Sequence, residues 1–264
     1  MSLSLMRRAK SLLGHGLVTS RLHRVLLGSD AIIVAFHRVN DDLPEDGLNR
    51  TSADFERFCR FFRSNFDVVA LDEQVSRLER GASIGGTLAI TFDDGYLDNF
   101  EVAAPILRRL GLPAPFFVTT HFIGSSTAAW WDAELPRQPG WMSWDQVRTL
   151  ASEGFDIGGH TRTHADLGTI TGPDADWEIA GSRQDILNEV GRAPRHFSLP
   201  YGRPDHMLDA NREQVKAAGF HSCVSCYGGL ARSGSDPYRL QRVGLGYWFR
   251  TPEQFAFEAL THRA

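Results

Sequence analysis

The chain has 264 residues, of which 42% are hydrophobic and 23% charged. This is ordinary globular composition, with apolar material for one α/β barrel or at most two small domains. A net charge of −4 at pH 7 gives no reason to expect nucleic acid as a partner, and no stretch approaches the ~18 apolar residues of a membrane span.

Residues 1–29 hold five basic side chains (Arg7, Arg8, Lys10, Arg21, Arg24) and no acid, with leucines interleaved. The reading preferred here is a helix packed across one end of a barrel. The alternative is a helix lying peripherally against an anionic membrane surface. A signal peptide needs a continuous apolar core of about 7–15 residues. The run here is broken at Gly14 and Gly16, so a cytoplasmic location is expected. Residues 30–264 contain no internal repeat, low-complexity tract or clear boundary and read as one barrel domain.

From residue 31 the chain alternates between strand-like and helix-like segments. Residues 31–36 are nearly all apolar, as suits a strand buried on both faces. A helix follows over 52–62, with Ser52 or Asp54 available as N-cap, then a strand at 67–71 and a helix over 72–80. The strand at 87–92 precedes a helix over 99–110, which stops at Gly111 because Pro113 keeps it from resuming. After a strand at 115–119 comes a long loop rich in Gly, Ser, Trp and Pro. Ser143 and Gln146 fit a capping box that opens the next helix.

Further strands are expected at 155–158, 196–199, 220–224 and 239–243, with helices near 176–190 and 207–218. Three cysteines are too few and odd in number for a disulfide framework. Cys223 and Cys226 lie in a strand-like apolar run and read as packing rather than chemistry. Alternation of this kind argues for a parallel sheet, and seven or eight units argue for its closure into a (β/α) barrel.

Four of these strands end in residues able to do chemistry: His37, Asp93-Asp94, His160 with His164, and Pro200-Tyr201. In a (β/α) barrel the carboxyl ends of the strands share one face, and active sites sit there. Two imidazoles with three residues between them, together with Asp94, would make a His₂Asp set. Three protein ligands with a fourth position open is the arrangement of a catalytic zinc. His-x-x-x-His and Asp-Asp-Gly are each weak signals alone, the latter being common turn chemistry. Each at a strand end, they point together to a divalent metal.

The segments Thr91-Phe-Asp-Asp-Gly95, His160-Thr-Arg-Thr-His164 and Phe197-Ser-Leu-Pro-Tyr-Gly202, in that order, resemble the first three motifs of the polysaccharide deacetylases. These are the NodB-homology domains of carbohydrate esterase family 4. The likeness runs from about residue 33 to 243. It implies a distorted barrel, usually of seven parallel strands, and removal of acetyl groups from an N-acetylated saccharide.

By that resemblance Asp93 is the general base, while Asp94, His160 and His164 hold the metal, usually zinc. The Tyr201 N–H, next to Pro200, helps stabilise the oxyanion. Two departures stand out. The third motif usually carries an Arg two residues before the Pro, where this chain has Ser198, and the usual late Leu-x-His is missing. Arg239 or Arg242 on the late strand is a candidate replacement for the Arg. The segment Phe36-His37-Arg-Val39 is similar to one in the branch that deacetylates poly-β-1,6-N-acetylglucosamine, an exopolysaccharide. That likeness assigns His37 to protonating the leaving amine.

Trp130, Trp131, Trp141 and Trp144 lie in or beside the loop over this face, and aromatic rings suit stacking on sugars. Trp131 with Asp132 is the preferred substrate contact. His121 reads as a loop residue and Asp166 as a turn residue. Competing functions are amide hydrolysis on a small non-sugar molecule such as a cyclic ureide, and a sugar-binding module that has lost catalysis. Oligomeric state and saccharide identity are not legible.

Overall fold

A computed structural model of the chain describes residues 3–206 and 208–261. Seven strands form the barrel: β1 (Ile32–Phe36), β2 (Thr87–Phe92), β3 (Pro115–Val118), β4 (Asp156–Gly159), β5 (His196–Ser198), β6 (Ser222–Gly228) and β7 (Leu240–Gly244). Each pairs in parallel with its neighbours in sequence order, and β1 pairs with both β2 and β7, which closes the ring. The chain is therefore a (β/α)7-type barrel. The segment read as a strand at 67–71 contributes only Asp67–Val68, paired to the outer side of β2. It stops there because a helix begins at Leu71 and buries that side chain.

Because strand side chains alternate, each strand divides its residues between the barrel interior and the surrounding helices. Ile33, Ala89, Phe117, Val224 and Leu240 form the inner cluster. Ile32, Val34, Leu88, Ile90 and Phe116 pack outward against helices. The same parity puts Thr91, Asp93, Ser198, Cys226 and Arg242 inside and Cys223 outside.

The helices are α1 (Leu3–Thr19), α2 (Leu22–Leu27), α3 (Ser52–Asn65), α4 (Leu71–Glu79), α5 (Ala104–Leu110), α6 (Trp144–Ser152), α7 (Gly172–Val190), α8 (Asp209–Ala217) and α9 (Pro252–Thr261). The N-cap of α3 is Thr51, one residue earlier than expected; its hydroxyl accepts from the Asp54 N–H. Phe55, Phe58 and Phe62 of α3 are fully buried. Phe55 meets Phe36 and Phe92 edge-on, and Phe62 meets Phe255 of α9. Truncating one such ring typically costs about 3–5 kcal/mol. The predicted helix over 99–110 opens with a π-turn at Asn99–Ala103 before α5 proper. The capping box at Ser143 and Gln146 opens α6 as expected.

α1 lies against α9, with Gly14 so close that an added Cβ would meet the Glu253 carbonyl oxygen at 1.8 Å. Among the described residues no helix is long and apolar enough to cross a membrane.

Candidate active site

Since every barrel strand runs the same way, His37, Asp93, His160 and the turn after Ser198 emerge on one rim. That rim opens into a cavity of about 750 Å³ lined by His37, Asp93, Asp94, Trp131, His160, His164, Tyr201 and Arg242, among others. Non-glycine residues with positive φ are Arg21, Asp94, Thr161, His164 and Tyr201 among those described, and all but Arg21 belong to this rim. Such conformations cost roughly 1–3 kcal/mol each and persist only where the surroundings impose them.

The surroundings do so here. Glu178 of α7 is buried and accepts from the N–H groups of Arg162 (2.8 Å) and Thr163 (3.0 Å) and from the Thr163 hydroxyl (2.5 Å). It thereby ties down the loop between the two histidines. The Pro200 carbonyl accepts from the Gly202 N–H at 2.5 Å and closes the turn that carries Tyr201. Gly202 presses on β6 so closely that a Cβ would lie 2.0 Å from the Cys226 nitrogen. The Tyr201 N–H has no hydrogen-bond partner among the described residues.

Asp94, His160 and His164 offer one ligand atom each, all within 4.8 Å of one another. Asp94 Oδ1 lies 3.3 Å from His160 Nε2 and 3.4 Å from His164 Nε2. His160 Nδ1 sits 2.8 Å from the Ser198 carbonyl oxygen. A carbonyl can only accept, so Nδ1 carries the hydrogen. In the neutral ring that leaves a lone pair on Nε2 facing a carboxylate oxygen. Asp94 Oδ1 is buried without a hydrogen-bond donor. Lone pairs converging in a buried space repel unless a cation lies between them, and a His₂Asp donor set suits a divalent ion. The carbonyl bond on Nδ1 is the usual brace of a metal-bound imidazole. Burial alone would raise the Asp94 pKa, but without a metal, protonated His160 and His164 outweigh it and hold the carboxyl well below its usual range.

Asp93 is buried and differently partnered. Arg242 reaches both of its oxygens, Nη1 at 2.9 Å and Nη2 at 2.6 Å, and also donates to Thr91 and Ser198 hydroxyls at 2.8 and 2.7 Å. Burial pushes the Asp93 pKa up, yet Arg242 and His160 prevail and it lies below the ordinary carboxylate value. Of the two arginines weighed above, Arg242 thus contacts Asp93. Arg239 is half exposed and pairs with Asp209 at 2.8 Å. Ser198, where an Arg was expected, serves as an acceptor for the replacement.

His37 Nε2 lies 4.0 Å from Asp93 Oδ2. Burial lowers its pKa from the ordinary histidine value, in spite of Asp94 and Asp93 nearby. Its backbone is fixed by Asn99, which donates to the His37 carbonyl at 2.7 Å, and by Asp98, which accepts from the Val39 N–H at 3.1 Å.

The aromatic residues divide. The Trp131 ring stands 4.3 Å from that of His164, and Trp130 is exposed at the rim with its N–H 3.3 Å from the Tyr201 hydroxyl. Trp141 stacks on Tyr96 at 4.6 Å, and Trp144 packs against the outer core. Asp132, expected beside Trp131 as a substrate contact, is buried away from the cavity. Its carboxylate is ion-paired with Arg38 and accepts from the Tyr96 hydroxyl at 2.7 Å. The same hydroxyl accepts from Trp131 Nε1 at 2.8 Å, so Asp132 braces the indole indirectly. A buried carboxylate takes the nearest cation, here Arg38 from 94 positions earlier in the chain. His121 packs on Trp177, and Asp166 caps its own turn through the Gly168 N–H.

Two features escaped the sequence reading. Cys226 lines the cavity, with its sulfur 4.0 Å from His37 Nε2 and its thiol pushed up to about 12 by burial. The other is an apolar wall made by Leu48, Val243, Trp248 and Phe249. Arg50, fully buried, shapes that wall by donating to the carbonyls of Leu245 (3.3 Å), Gly246 (2.7 Å) and Phe249 (2.6 Å). Inward parity with Val224 marked Cys226; nothing local marked the wall.

A family model described as polysaccharide deacetylase matches residues 81–222, more than half of the chain. The Bacillus subtilis protein YxkH is 30% identical over 157 residues, 58% of this chain and 50% of that protein. A chitin deacetylase of Colletotrichum lindemuthianum is 28% identical over 116 residues, 44% of this chain and 42% of that one. The chain thus spans about half the length of these relatives or less. The structure of the Streptococcus pyogenes deacetylase PplD superposes with a TM-score of 0.73 over 86% of this chain and 96% of that one, at 18% identity.

Proposed function

This chain belongs to the polysaccharide deacetylase family, and on that premise we propose that it hydrolyses N-acetyl groups of an N-acetylhexosamine polysaccharide or its precursor. The observation that carries the reading is Asp94 Oδ1 facing the two imidazoles, 3.3 and 3.4 Å away, beside a separately held Asp93. Asp94, His160 and His164 would hold the divalent cation, with zinc favoured by the nitrogen-rich set. When bound, that ion supplies Lewis acidity to the amide carbonyl and makes water a stronger acid.

The chain's own groups do the remainder. Asp93 is ionised at neutral pH and free of the cation site, so it takes the proton of the attacking water. The unpartnered Tyr201 N–H donates to the oxyanion as the carbonyl carbon becomes tetrahedral. Protonated His37 gives its proton to the leaving amine, and Asp93, 4.0 Å away and held low, then returns the proton it took from water to His37. Proton transfer then balances: one leaves water and one arrives on nitrogen. Trp130 and Trp131 offer faces for a sugar ring, and the apolar wall bounds the other side of the cavity. The likeness around His37 favours an exopolysaccharide substrate.

The test is acetate release, with added zinc, from chitooligosaccharides, β-1,6-linked glucosamine oligomers, and nucleotide- or lipid-linked precursors. The reading requires turnover of at least one of these, abolished in Asp93→Asn. Zinc-loaded protein that releases acetate from none of them contradicts it.

A further inference from the structure

A helix on a protein surface ordinarily turns its apolar side inward. α1 does so only in part: Leu17 packs against the core, but much of its apolar surface faces outward. Its inward side carries Gly14 against Glu253, Ser11 sharing a hydrogen bond with Thr251 at 2.9 Å, and Lys10 paired with Glu258 at 3.2 Å. Its outward side carries Leu12 and Leu13, 74% and 55% exposed, with Met6 at 38%. Met6 and Leu13 are seven positions apart and stack two turns from one another on one face. α2 extends the patch with Leu22 and Val25, the latter 73% exposed.

The same two helices and the turn between them carry Arg8, Arg21 and Arg24, all exposed and without a carboxylate partner among the described residues. Residues 1–29 contain no acid to offset them. A symmetric contact between two copies would set this patch against itself and bring arginines together with no counter-charge. The face suits a surface that is apolar just beneath a layer of negative charge.

We propose that α1 and α2 dock on an anionic lipid bilayer, with Leu12, Leu13 and Val25 at the acyl boundary and Arg8, Arg21 and Arg24 at the lipid phosphates. Glu258, the partner of Lys10 on the inward side of α1, lines the cavity, so one ion pair ties this helix to the cavity wall. The inference rests on the exposed faces of α1 and α2 and stands apart from the chemistry assigned to the rim.

The experiment is co-sedimentation of the full chain with vesicles of phosphatidylcholine, alone or mixed with phosphatidylglycerol. It compares the wild type, Leu12→Glu/Leu13→Glu and Arg8→Gln/Arg21→Gln/Arg24→Gln, with the melting temperature and solution mass of each recorded. The expected result is binding to the mixed vesicles at least tenfold tighter than to phosphatidylcholine, weakened at least tenfold in both variants at unchanged melting temperature. The exposed arginine set keeps the test decisive if the glutamates disturb folding. Binding indifferent to phosphatidylglycerol, or unaltered in the arginine variant, overturns the proposal. So does self-association of the wild type that the leucine variant abolishes without any vesicle binding.

Discussion

Arg242 enters from the middle of β7 and grips both oxygens of Asp93 at the end of β2, across the inside of the barrel. The pair is fully buried, and a buried ion pair is costly to break because it leaves one charge unmatched. Arg242→Met is therefore expected to lower stability by roughly 3–5 kcal/mol in urea unfolding. Arg242→Lys keeps a charge but loses the bidentate grip. Asp93 is then held less firmly below its ordinary value, and since a base must be ionised, the acidic limb of kcat/KM moves to higher pH. An unmoved limb in Arg242→Lys would show that Asp93 is not the group titrating there.

His37 is expected to act in its protonated form. Burial lowers its pKa from 6.5, so the protonated fraction, and turnover with it, declines as pH rises. That decline is the alkaline limb. His37→Ala should reduce kcat by about 10²–10⁴-fold and remove the limb. A profile of unaltered shape assigns the acid elsewhere.

Glu178 touches neither cavity nor ligand atoms, yet it holds the loop between His160 and His164 in a strained conformation. Glu178→Ala is expected to weaken zinc affinity by about 10–100-fold, the usual cost of losing a group that orients ligands. Competition against a chelator measures it. Wild-type affinity in the variant would mean the loop holds itself.

Most of the rim was legible because chemistry-bearing residues sat at the ends of apolar runs, and parallel closure brings such ends together. Arg242 was ambiguous with Arg239 until strand parity was resolved: Leu240 and Arg242 face in, while Arg239 ends the turn before β7. Cys226 shares the inward parity of Val224, which places it on the cavity wall, where burial keeps its thiol protonated. Asp132 was misplaced because its partner, Arg38, is remote in sequence. The wall at Trp248 and Phe249 depends on three carbonyl contacts from Arg50, and no local pattern encodes those. The leucines of α1 were visible, but which way they faced depended on α9.

Asp98 links the segment after His37 to the chain after Asp94, and burial raises its pKa from 3.8 to about 6. The folded state therefore holds a proton that the unfolded chain releases between those values. Stability should fall as pH rises through that window, by on the order of 2–3 kcal/mol from this group. Asp98→Asn should flatten the dependence in denaturant titrations across the window. An identical slope in the variant contradicts the assignment.

The most direct measurement is metal stoichiometry by elemental analysis after dialysis against zinc, on wild type, Asp93→Asn and Asp94→Asn. Two neighbouring carboxylates with separate duties predict one zinc per chain in wild type and Asp93→Asn, with acetate release only in wild type, and loss of zinc in Asp94→Asn. A full complement of zinc in Asp94→Asn, or its loss in Asp93→Asn alone, contradicts that division.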